Sequence, residues 1–136
     1  NRLKRDFNYL EFSMAPLAIS LMDDESGMGG FVYKDLYNSN EGKLINHFNV
    51  QSYDDYSVEI FDAIVKNGYP PEKIVYGMIS SQDINEIINV INLLYKKYGK
   101  KLGGVFNWEY FDSPPSAPKN PEVWSEIMSN ILNRIN

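Results

Sequence analysis

The chain has 136 residues, 43% of them hydrophobic and 23% charged, with a formal net charge of −5 and a pI near 4.8. That composition suits a folded protein with one core, so a single domain over residues 1–136 is expected, and basic residues scattered singly or in pairs after Arg2-Leu3-Lys4-Arg5 argue against a nucleic-acid partner. No apolar run approaches a membrane span, zero cysteines exclude disulfides and thiolate chemistry, and the single histidine, His47, leaves catalytic triads and metal sites little to work with; neither metal nor cofactor is expected.

In chain order, residues 1–6 read as the tail of a preceding helix. A chain that starts at Asn1 instead of Met reads as processed or cut at a chosen boundary, and no apolar stretch follows the opening charges as a signal peptide requires. Residues 8–15 form a first apolar run bounded by turn residues; a weak, interrupted helical pattern follows near 29–46, then a second run at 47–53. Residues 57–67 predict a helix with Ser57 as cap, Glu59 in the first turn, a row of Val58, Phe61, Ile64 and Val65, and Gly68 with Pro70-Pro71 as its stop. A third run, 73–79, precedes the clearest helix, 82–98, where Ile84, Ile87, Ile88, Ile91, Leu94 and Tyr98 share one face. Ser81 is placed as its cap, Asp83 in its first turn, Lys96 and Lys97 in its last, and Gly99 as a left-handed end. The fourth run is 103–109; after the rigid loop Ser113-Pro114-Pro115-Ser116-Ala117-Pro118 comes a helix over 121–134, capped by Asn120 and burying Trp124, Ile127, Met128, Ile131, Leu132 and Ile135. This alternation predicts βαβ units: an α/β fold of four parallel strands in sequential order, joined by right-handed crossovers and flanked on one side by helices.

Successive strand residues face opposite sides. Tyr53, Gln51 and Asn49 therefore share one face, with Phe48, Val50 and Ser52 on the other. In the first strand the matching sets are Glu11, Ser13 and Ala15 against Leu10, Phe12 and Met14, which puts the polar members of both strands on the same side.

The strand ends carry a resemblance. Phe12-Ser13-Met14-Ala15-Pro16, Val50-Gln51-Ser52-Tyr53-Asp54, Lys73-Ile74-Val75-Tyr76-Gly77-Met78 and Gly103-Gly104-Val105-Phe106-Asn107-Trp108-Glu109 resemble, in order, strands five to eight of glycoside hydrolase family 18, the chitinases and endo-β-N-acetylglucosaminidases. The resemblance implies the C-terminal half of a (β/α)8 TIM barrel, since a whole one needs roughly 250 residues. It also implies substrate-assisted hydrolysis of β-linked N-acetylglucosamine glycans, in which the substrate's own 2-acetamido group attacks the anomeric carbon. On that reading Tyr53 is the catalytic residue that orients the acetamido group, while Gln51, Asp54, Trp108 and Tyr110 bind the sugar, Trp108 as its apolar floor. The family's acidic motif on strand four, Asp-x-x-Asp-x-Asp-x-Glu, occurs nowhere in the chain, so the general acid lies outside it; Asp23-Asp24-Glu25 has the wrong spacing. Secretion is implied by the family alone.

Other readings compete. Tyr53 and Trp108 also suit core packing, Asp54 a turn before a helix cap, Glu11 a structural hydrogen bond, and Tyr110 and Phe111 packing under the proline loop; His47 sits at a strand start away from the strand ends. For the whole chain, the alternatives to a hydrolase are a non-catalytic carbohydrate-binding lectin and a self-associating half-barrel, either a homodimer or one completed by a missing N-terminal half.

Overall fold

The computed structural model describes residues 2–133. Its strands are β1 (Phe12–Met14), β2 (Ile45–Gln51), β3 (Ile74–Ile79) and β4 (Gly104–Trp108). They form one parallel sheet in the order β1-β2-β3-β4, as the alternating pattern predicts. Parallel neighbours need long crossovers, and helices supply them. α1 (Arg2–Asp6) precedes β1; α2 (Ile19–Met22) and α3 (Tyr33–Asn38) separate β1 from β2; α4 (Val58–Lys66), α5 (Ile84–Tyr98) and α6 (Val123–Leu132) follow β2, β3 and β4.

The core lies on one face of the sheet. Phe48, Val50, Tyr76 and Met78 are buried there together with Phe61 and Ile64 of α4, Ile87, Ile91 and Leu94 of α5, and Met128 and Ile131 of α6. Each such aliphatic or aromatic side chain contributes about 1.5–3 kcal/mol on burial. The opposite face carries the half-buried Asn49, Gln51 and Tyr53, so the period-two split of β2 holds residue by residue.

Local chemistry explains the element ends. Ser57 Oγ accepts from Ile60 N and caps α4. α5 is capped by Asp83, whose Oδ1 accepts from Asn85 N (2.7 Å) and Glu86 N (3.3 Å), and not by Ser81. Ser81 is exposed in a turn closed by Gln82 N donating to Ile79 O, and that turn delays the helix by two residues. Gly99, at φ 57°, ends α5 in the left-handed region that glycine tolerates. α6 starts later than expected because Asn120 and Pro121 lie in turns, with Val123 N donating to Asn120 O; Asn120 makes no side-chain cap. The expected extension of this helix to Arg134, and the burial of Ile135, lie outside the described residues.

Two segments depart further. β1 is shorter than 8–15 because residues 7–10 turn back on α1: Phe7 N donates to Leu3 O (2.7 Å) and Lys4 Nζ to Leu10 O (2.6 Å). Of the helical stretch expected near 29–46, α3 and a 3-10 turn at Gly42–Leu44 form before β2 begins at Ile45, while α2 was not expected and is separated from α3 by a loop with a Ser26–Val32 bridge.

Candidate active site

Register stacks the uncovered face of the sheet in layers. Asn49, Val75 and Gly104 are partners across β2, β3 and β4, and the next layer is Gln51, Gly77 and Phe106. One step on, Ile79 pairs with Trp108, and Tyr53 continues β2 to the same level. Two strand spacings put Tyr53 and Trp108 about 10 Å apart laterally. A Cβ on Gly77 would collide with the Phe106 ring, so glycine there lets the phenyl lie flat across the middle strand. Ala15, Asn49, Gln51, Tyr53, Phe106 and Trp108 together line a cavity of about 380 Å³. A second cavity, about 460 Å³, lies on the other side of Gln51 and Tyr53, with Leu17, Ile19, Met22 and Ile60 as apolar walls and Asp54 and Asp55 as its carboxylates.

Each side chain has a distinct anchorage. Gln51 Nε2 donates to Ala15 O (2.6 Å), which fastens the amide across β1 and leaves Oε1 as an acceptor. Burial raises the Tyr53 phenol above its ordinary 10.0, keeping it a protonated donor at neutral pH. Trp108 is 59% exposed at the mouth, and its peptide to Glu109 is cis. Behind the site, the buried Tyr76 hydroxyl accepts from Ser52 Oγ (2.9 Å) and Ser57 N (3.3 Å) and donates to Ser57 O (3.0 Å). Ser52 Oγ also reaches Asp55 O, so the loop carrying Tyr53 and Asp54 is tied to β3 from the helix side.

Gln51, Tyr53 and Trp108 thus meet in one cavity, while Asp54 faces the neighbouring one. Tyr110 sits in the helical turn Tyr110–Asp112, 64% exposed, and lines neither cavity; Phe111 is 63% exposed, so these two rings do not pack under the proline loop. Glu11, Asp23, Asp24, Glu25 and Glu109 are all exposed and outside both cavities, and His47 lies in the first half of β2 opposite Ser13. Among the described residues, no carboxylate lines the cavity between Tyr53 and Trp108. Sequence reasoning missed Phe106, although counting back by two from Trp108 places it on the same face. It also missed Ser80, Gln82 and Tyr76, whose partners lie 19–29 residues away.

No family model and no curated protein matches the chain. Among solved structures it is similar to a fungal endo-β-N-acetylglucosaminidase from glycosyl hydrolase family 18, at 33% identity and a TM-score of 0.85. The match covers 98% of this chain and 50% of that one, so the chain spans half the length of the protein it resembles. A shared fold at that identity makes the chain a relative of glycoside hydrolase family 18 along nearly its whole length.

Proposed function

We propose that the chain forms strands five to eight of a family 18 (β/α)8 barrel and supplies part of the sugar site of an enzyme that hydrolyses β-linked N-acetylglucosamine glycans. The observation that carries this reading is the shared cavity of Gln51, Tyr53, Phe106 and Trp108 at the C-terminal strand ends, where barrel enzymes hold their substrates. A pyranose ring lies with its apolar face on Trp108, and the Tyr53 hydroxyl donates to the acetamido carbonyl. That bond aims the carbonyl oxygen at the anomeric carbon, where it attacks as the glycosidic bond breaks. Gln51 Oε1 accepts from the acetamido N–H or a ring hydroxyl. Asp54, across the lip, accepts from hydroxyls of the next sugar, whose carbons rest on Ile19 and Met22.

The acid that protonates the leaving oxygen comes from outside these residues, together with the βα units that cover the open face and the edges of β1 and β4. A second copy of the chain is the alternative cover, and light scattering separates the two. The carboxylate-free cavity also favours a binding-only role for the isolated chain. Titration with chitotetraose, read by backbone NMR, tests the site: shifts centred on Gln51, Tyr53, Phe106 and Trp108, lost in Trp108→Ala, support it. Saturable shifts elsewhere, or none, refute it.

A further inference from the structure

The turn between β3 and α5 offers no side chain to either cavity, yet it holds both sugar-facing residues. On one side, Gln82 Oε1 accepts from Ile79 N (2.9 Å) and Gln82 Nε2 donates to Tyr53 O (3.2 Å). One amide thereby joins the last residue of β3 to the residue that ends the β2 layer. On the other side, Ser80 N donates to Trp108 O (2.9 Å), and Ser80 Oγ accepts from Glu109 N (2.9 Å) and donates to Glu109 O (3.1 Å). Asn107 Nδ2 adds bonds to Ser80 Oγ (3.0 Å), Ser113 Oγ (2.8 Å) and Glu109 O (3.2 Å), locking the peptide that carries the indole.

We propose that Ser80 and Gln82 are positioning residues, a two-sided clamp that sets the separation of Tyr53 and Trp108 from the strand between them. The idea deepens the glycan-site reading and rests on it for its functional consequence. The two arms are chemically independent: Gln82 acts on the backbone of Tyr53, Ser80 on that of Trp108 and Glu109. Both act through main-chain atoms, so they fix where the side chains emerge and leave their own polar atoms free for sugar. Hydrogen bonds of this kind contribute about 0.5–1.5 kcal/mol each, so losing one arm should weaken a ligand that needs both residues by about 2- to 10-fold.

The test uses the chain in two arms, without ligand and with chitotetraose. Without ligand, Gln82→Ala should shift and broaden the amide signals of residues 53–55 and leave the Trp108 indole in place. Ser80→Ala, which keeps Ser80 N on Trp108 O but removes the Oγ bonds to Glu109, should disturb the Glu109 amide and the Trp108 indole and leave residues 53–55 in place. With chitotetraose, each variant should bind about 2- to 10-fold more weakly. Gln82→Glu keeps the acceptor for Ile79 N but loses the donor to Tyr53 O when ionised. Asp54, Asp55 and Asp83 are carboxyls common to both proteins, so the readout is the difference between Gln82→Glu and wild type at each pH. At residues 53–55 that difference should shrink as pH falls and the new carboxyl regains its donor, a recovery that simple space-filling would not give. Unmoved Tyr53 signals in Gln82→Ala, or equal disturbance of both residues by both variants, would overturn the clamp. Failure of the wild-type chain to bind chitotetraose would sink the glycan reading alone, since the ligand-free spectra still decide the clamp.

Discussion

Removing one oxygen from Tyr76 probes how the site is held. Tyr76 is fully buried, its ring stacks on Tyr56 at 4.3 Å, and its hydroxyl touches Ser52 and both main-chain groups of Ser57. In Tyr76→Phe the three partners are not equally harmed. Ser57 O still accepts from Phe61 N, and the single Ser52 hydroxyl hydrogen, shared between Tyr76 and Asp55 O, turns wholly to Asp55 O. Only the Ser57 N–H is orphaned; a buried unsatisfied donor costs about 1–3 kcal/mol, and this one is half-buried. The expected loss is therefore at the low end of that range, about 1 kcal/mol, with the fold intact. In urea, with a slope of about 2 kcal/mol per molar, the midpoint should fall by about 0.5 M at unchanged slope. A shift under about 0.25 M would mean that the hydroxyl network does not hold the 52–57 loop, and the anchorage argued for Tyr53 would fail with it.

Tyr76 also gives a pH signature: burial, the largest effect, pushes its phenol up from 10.0 to about 12, so this share of stability is complete below pH 10, is lost as pH rises toward 12, and should vanish in Tyr76→Phe, as alkaline unfolding curves of the two proteins will show. Burial alone would raise the Asp62 carboxyl, but bonds from Lys97 Nζ (2.6 Å) and Tyr98 hydroxyl (2.6 Å), with the Lys97 charge, hold it below 3.8; Asp62→Asn should cost about 0.5–1 kcal/mol at neutral pH and much less below the folded pKa, by urea titration at both. Gly77→Ala should cost about 1–3 kcal/mol by thermal or urea unfolding, because the methyl displaces the Phe106 ring, and should weaken chitotetraose binding as the cavity floor is remade.

The helices were readable because their apolar residues recur on one face and their ends carry Ser57, Gly68 and Gly99. Strand order followed from alternation, the shared face of Gln51 and Tyr53 from period-two counting along β2, and Trp108 from the family resemblance of the β4 end. The cap of α5 was misplaced because both Ser81 and Asp83 are good caps, and only the turn through Gln82 selects the second. The pins at Ser80, Gln82 and Tyr76 were invisible for a different reason. Polar residues near strand ends are common, and what distinguishes these is a partner brought close only by the sheet register. Tyr110 stands apart from the two cavities because the helical turn at Tyr110–Asp112 follows β4 at once, and an aromatic just past a strand does not announce such a turn.

The most direct test of the account is hydrolysis of a fluorogenic N-acetylglucosamine oligomer by this chain alone, beside a form in which strands one to four, with the acidic motif, are supplied in front of it. A positioned acid contributes about 10²–10⁴-fold, so the chain alone should give no turnover and the completed barrel should. In the completed form Tyr53→Phe should lower kcat far more than it raises KM, because the hydroxyl is needed most as the acetamido group attacks. Turnover by the 136-residue chain itself, or a completed barrel indifferent to Tyr53→Phe, would contradict the account.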